Sequence, residues 1–232
     1  KKIHFCWLGG GGEYPERVRQ CMESWRTVMP GYEIVGWDET RFDVNSVPWV
    51  REAVGRKKYA FAADYIRHYA LYHEGGIYLD TDVETLRPFD GLLDAEMFAV
   101  IETEESVLTR NIAEGRISET GDVLTDGLFP DAGLGLQSGA FGVVAGHPFT
   151  KRCLDWYDNH HFILEDGTLY DKIIAPDIMA YNARPAGLKY KDAAQELDEG
   201  IRIHPSTTIA AYPAKAAPGN YAIHHCLGSW RP

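Results

Sequence analysis

Residues 74–86 read EGGIYLDTDVETL. Two glycines open a turn, a short apolar run follows, and two aspartates stand one residue apart at its end. A run of this kind is a buried strand whose side chains alternate, so Asp80 and Asp82 leave one side while Thr81 leaves the other. In an open α/β sheet, ligands collect at the carboxyl ends of strands, which is where these acids fall. Two like charges there repel each other and resist desolvation unless a cation joins them. A hard divalent ion whose remaining positions are filled by a ligand's phosphates resolves that conflict.

The flanking sequence supports such a sheet. "KIHFCWL" is an apolar strand stopped by four glycines, and residues 15–29 place Val18, Cys21, Met22, Trp25 and Val28 at helical spacing before Pro30-Gly31. "YEIVGW" follows as a second strand, and strand–helix–strand at this spacing opens a parallel sheet of the nucleotide-binding type. Residues 59–74 read as a helix, "GIYLDTDV" and "EMFAVIE" as strands, and "SGAFGVV" as another. "HPFTKRCLDWYDNHH" and the stretch near Asp177–Asn182 read as helices, and "GIRIHP" and "YAIHHC" as the last strands. Residues 103–136 are polar and lack strong periodicity, so they read either as a functional loop, a lid or an acceptor-side wall, or as disorder without function. No internal repeat occurs, and one domain over residues 1–232 is expected.

Composition narrows the function classes. A net charge of −11 argues against a nucleic-acid partner, whose phosphates need a positive surface. No apolar run is long enough to span a bilayer, and the first strand is too short for a signal-peptide core. Cys6, Cys21, Cys153 and Cys226 are scattered without a paired motif, which predicts reduced, mostly buried thiols in a cytoplasmic protein.

Three stretches in order, "HFCWLGG", "YAFAADYIRHYALYHEGGIYLDTDV" and "AIHHCLGSW", resemble the DXD-containing sugar transferases of glycosyltransferase family 32. More distantly they resemble the catalytic domains of the large clostridial glucosylating toxins. The resemblance covers residues 3–102 and again about 137–230. It implies a GT-A α/β fold, a Rossmann-like mixed sheet flanked by helices. It also implies a nucleoside-diphosphate-sugar donor, with UDP-hexose favoured over GDP-mannose, a divalent metal, and retention of anomeric configuration. The bacterial relatives imply a glycan or lipid-linked oligosaccharide acceptor in surface polysaccharide synthesis, on the cytoplasmic side with peripheral membrane contact.

By the same resemblance, Asp82 binds the metal directly, and Asp80 helps through the metal's waters or the donor ribose. Asp64 and Arg67, three apart and so on one helix face, contact the donor sugar; as bare residues they read equally as a local ion pair. Trp7, a core residue by default, becomes the platform on which the base stacks, beside Gly9 and Gly10, which relieve a turn or admit the nucleotide. No Gly-Lys-Ser/Thr follows to make a phosphate-binding P-loop. His224 and His225 must face opposite ways on a strand, and similarity assigns His225 to the metal. An imidazole beside two carboxylates favours Mn2+ over Mg2+. Ser229 and Trp230 match an element that closes over the donor diphosphate. Gln137 and Asp177 are candidates for the sugar's reacting face. Retention is open between a carboxylate nucleophile and attack on the face the diphosphate leaves. The rival readings are a metal-dependent nucleotide-sugar phosphohydrolase and a non-catalytic carbohydrate-binding domain.

Overall fold

The computed structural model describes residues 1–10 and 13–228. Strand β1 (Lys2–Cys6) feeds helix α1 (Glu16–Val28) and strand β2 (Glu33–Trp37). Helices α2 (Pro48–Gly55) and α3 (Tyr59–Glu74) lead to β3 (Gly76–Leu79) and β4 (Val83–Thr85). Strand β5 (Met97–Thr103), helix α4 (Glu105–Ala113), and strands β6 (Leu134–Leu136) and β7 (Ala140–Val143) follow. The chain ends in α5 (Pro148–Asp158), α6 (Ala175–Ala183), β8 (Gln195–Glu196), β9 (Ile201–His204), β10 (Ile209–Ala211) and β11 (Ala222–His224).

The main sheet runs β2-β1-β3-β7-β5-β9-β8, with β6 also paired to β5. β1 is parallel to β2 and β3, as the opening strand–helix–strand unit predicts, whereas β7 is antiparallel to both β3 and β5. β3 and β5 therefore point the same way, and their carboxyl ends share one edge of the sheet. Strands β10, β11 and β4 form a second, three-stranded sheet.

Alternation along β5 divides the core. Met97, Ala99 and Ile101 join a cluster under α2, α3, α5 and α6, while Phe98 and Val100 join one under α1 with Phe89. Helix α1 is held to the small sheet by Trp25 Nε1, which donates to Val83 O at 2.7 Å, and by Ser24, whose hydroxyl oxygen accepts the Thr85 N–H at 2.9 Å. Helix α3 is buried from Phe61 to Leu71 with scarcely a wet face, the pattern of a helix packed on several sides. It ends at Gly75 and Gly76, both at positive φ, and a Cβ on Gly76 would lie 2.8 Å from Lys2 O.

Two expectations change. "GIYLDTDV" is not one strand: β3 stops at Leu79, and Val83 N–H returns to Asp80 O at 2.9 Å across a turn. The stretch expected to be a loop, 103–136, contains α4 and β6. Leu108 and Asn111 are buried, and the Asn111 amide donates to Asp131 O and Ala132 O at 2.8 and 3.1 Å. Its β6 packs on α6, so close that a Cβ on Gly135 would lie 2.7 Å from Pro176 Cβ. The polar composition hid a packed unit because few of its apolar residues were needed to pin it.

Candidate active site

A cleft of about 570 Å³ opens at the edge where β1, β3 and β5 end. That volume suits a ligand of nucleotide-sugar size. Along the edge, in strand order, stand Trp7 after β1, Asp80 after β3, Ser138 before β7, and Glu102 near the end of β5. Gln137–Gly139 interrupt the pairing of β6 and β7 with β5 opposite this point, the kind of bulge that re-aims side chains beside a site.

Asp80, Asp82 and His224 offer one oxygen or nitrogen atom each within 4.8 Å of one another. The turn, rather than strand alternation, brings both acids to one side. His224 Nε2 lies 3.2 Å from Asp82 Oδ1 and 3.8 Å from Asp80 Oδ2. Asp82 Oδ2 also accepts the Leu227 N–H at 2.8 Å. Burial alone would raise the Asp82 carboxyl, but the His224 ring and that N–H outweigh it and hold it low. Burial likewise opposes charging His224, yet Asp82 and Asp80 keep its pKa well above the usual imidazole value. Two carboxylates and an imidazole suit a divalent ion with mixed oxygen and nitrogen ligands. Gly139 leaves room for them: a Cβ there would lie 2.6 Å from His224 Cε1 and 2.8 Å from Asp80 Oδ2.

The histidine expected at the metal, His225, is not the one that faces the acids. The neighbours do point opposite ways, but β11 turns His224 inward, and His225 Nε2 pairs with Glu84 at 2.8 Å.

Arg67 is 3 % exposed and Asp64 8 %. The guanidinium reaches Asp64 at 2.8 Å, Asp80 at 3.5 Å and Ser138 O at 2.6 Å, and lies 4.8 Å from the Tyr78 ring centre. Burial raises the Asp64 carboxyl to about 6 despite Arg67. Both residues line the cleft, and Arg67 also ties the acid turn to the 137–139 bulge. Trp7 lines the cleft too, its ring edge-on to Tyr14 at 5.0 Å. Gly9 is at φ +69, with its N–H given to Glu39 at 2.6 Å.

The two proposed reacting-face residues do not line the cleft. Gln137 is 1 % exposed, and its neighbour Ser138 reaches the cleft in its place. Asp177 sits in the first turn of α6, where its carboxylate accepts the Ile174 N–H at 3.4 Å. Burial raises it to about 6. Ser229 and Trp230 lie outside the described residues. Sequence reasoning missed Glu102 and Tyr212, both on the cleft. Glu102 carried a readable signal, an acid at the end of an apolar strand, the same signal that marked Asp80.

Residues 15–99 match the model of a glycosyltransferase sugar-binding region containing a DXD motif. Over that stretch the chain is similar to the DXD-containing glycosyltransferases. Inositol phosphoceramide mannosyltransferase 3 of Schizosaccharomyces pombe is 34% identical over 48% of this chain and 32% of its own. Subversion of eukaryotic traffic protein A of Legionella pneumophila is 28% identical over 38% of this chain and 18% of its own. The chain thus spans less than a third of the curated relatives it matches. Mouse xyloside xylosyltransferase 1 superposes with TM-score 0.53 at 10% identity, covering 97% of each chain. The galactosyltransferase LgtC, bound to donor and acceptor sugar analogues, superposes with TM-score 0.51 at 15% identity, covering 97% of this chain and 87% of that one. The PaToxG glycosyltransferase gives 0.52 at 14% identity over 80% and 69%. The chain therefore has the GT-A fold, with Asp80 and Asp82 at the carboxyl edge of the sheet. Among its described residues no helix is long and apolar enough to cross a membrane. Cys6, Cys21, Cys153 and Cys226 are free thiols.

Proposed function

We propose that the chain is a metal-dependent, retaining glycosyltransferase. It moves a hexose from a nucleoside-diphosphate sugar to an acceptor hydroxyl, in the building of a surface polysaccharide or oligosaccharide. One observation carries this reading: Asp80, Asp82 and His224 converge in the cleft that also holds Trp7, Asp64 and Arg67. The donor is a UDP-hexose or, as the mannosyltransferase relative suggests, GDP-mannose.

A divalent ion held by Asp80, Asp82 and His224 supplies charge neutralisation for a departing diphosphate, and the imidazole favours Mn2+ over Mg2+. The protein's own groups do the rest. Trp7 offers a ring face for the base, a contact worth ~1–3 kcal/mol in nucleic-acid recognition. Asp64 accepts a sugar hydroxyl. Arg67 holds Asp64 and Asp80 in place and keeps positive charge beside the transferring sugar. Fixed charge aimed at a leaving group needs no reorganisation as the bond breaks. Retention then follows either from a carboxylate nucleophile or from attack on the face the diphosphate leaves.

A thermal-shift screen of UDP- and GDP-sugars with and without Mn2+ tests the reading. Stabilisation by a donor only when Mn2+ is present is the expected result. Stabilisation that ignores the metal, or hydrolysis of the donor as fast with acceptor as without, contradicts it.

A further inference from the structure

Strand order gives the cleft a direction. Trp7 follows β1, the acid turn follows β3, and Glu102 lies on β5, two strands beyond β3. At a strand spacing of ~4.8 Å that is about 10 Å past Asp80, roughly one sugar ring further from Trp7. A donor laid with its base on Trp7 and its diphosphate at the acid turn leaves the Glu102 end unused.

Two side chains of the cleft lining make no hydrogen bond, ion pair or ring contact among the described residues. Glu102 faces the cleft, and its carboxylate has neither a hydrogen bond nor an ion pair among the described residues. Tyr212 is 43 % exposed, and its ring meets no other ring among the described residues. Its backbone stands at φ 71, ψ 143, a conformation largely confined to glycine. It is pinned there because its N–H donates to His224 O at 2.8 Å. A bulky residue kept in a strained conformation, with an aromatic side chain on the cleft lining, points to a ligand.

We propose that Glu102 and Tyr212 form the acceptor subsite and that the acceptor is a sugar ring, its apolar face on the Tyr212 ring and a hydroxyl donating to Glu102. A carboxylate only accepts hydrogen bonds, so it orients a hydroxyl with the oxygen lone pairs free. An aromatic face beside it suits a pyranose better than a flexible side chain. This rests on the glycosyltransferase reading for the word acceptor, but the subsite can be tested without the donor.

Saturation-transfer NMR of the protein with methyl α-glucoside, methyl α-galactoside and methyl α-mannoside tests it. At least one should receive saturation from wild type, and Glu102→Gln, Tyr212→Ala and Tyr212→Gly should lose it. Tyr212→Gly should also raise Tm, because glycine relieves the backbone strain, while the other two keep the wild-type far-UV spectrum. In parallel, all three variants should keep Mn2+-dependent donor stabilisation. No saturation transfer to wild type, or transfer undiminished in the variants, overturns the subsite whatever the donor does. Transfer that is lost in the variants, with no donor binding to wild type, keeps the sugar site and rejects the glycosyltransferase reading instead.

Discussion

Asp82 and His224 meet at 3.2 Å although 142 positions separate them. One sits in the turn after β3 and the other at the end of β11, and the antiparallel pairing of His224 with Val83 sets the distance. The small sheet therefore exists in part to carry an imidazole to a pair of acids.

Removing that imidazole should remove the metal. His224→Ala should weaken Mn2+ binding by about 100-fold or more, beyond the ~10–100-fold typical of losing an outer partner of a ligand. His225→Ala breaks only the Glu84 contact and should leave Mn2+ affinity at the wild-type value. Calorimetric titration of Mn2+ into both variants checks this, and the reverse ranking would return the ligand to His225.

Arg67→Met should cost stability as well as activity. The change leaves Asp64 buried without its partner at 2.8 Å, and breaking a buried pair from one side costs ~3–5 kcal/mol. Adding Asp64→Asn should restore part of the loss. Urea unfolding of the single and double variants measures it, and a single variant as stable as wild type would mean the pair carries no structural burden.

Stability should fall on mild acidification through His68. Neither ring nitrogen has a hydrogen-bond partner among the described residues, and the ring packs near Phe141, Phe149 and Tyr157. Burial, with help from Arg67, lowers its pKa from 6.5 to about 3. Between those values the unfolded chain binds a proton that the folded chain refuses, so this contribution shrinks as pH drops, by ~1.4 kcal/mol per pH unit. Above pH 6.5 it is complete. His68→Phe should flatten the slope between pH 6 and 4 by one proton's worth. Identical slopes in urea titrations of the two proteins would exclude His68 as the source.

Gly139→Ala should damage catalysis out of proportion to its size. Its methyl group would come within 2.6 Å of His224 and 2.8 Å of Asp80. Ligands displaced by ~1 Å commonly cost about 100-fold in rate. Transfer assays beside a melting curve separate the effects: a large rate loss with a small Tm change is expected, and a normal rate would show that the triad tolerates the methyl group.

Much of this was legible in the sequence because it rests on short-range rules. Apolar runs ended by glycines gave β1 and β3, helical spacing gave α1, and the end of an apolar strand marked Asp80 and Asp82. The failures share a cause, which is that they depend on what the chain meets later. The choice between His224 and His225 follows from which face of β11 is presented to the acid turn, and that is settled by pairing with β4. Asp177 reads in sequence as a candidate for the sugar's reacting face, but its carboxylate accepts the Ile174 N–H at the start of α6. The segment 103–136 looked unstructured because its order comes from contact with α6 and from Asn111, not from its own periodicity. Excising it would unseat α6 rather than merely open a lid.

The pairing of β11 with β4 also has a consequence for synthesis. A ribosome making this chain emits both acids long before the imidazole, and strands β5 to β9 of the main sheet are made in between. Until residue 224 leaves the exit tunnel and pairs with Val83, the nascent protein has both acids but not the imidazole that meets them.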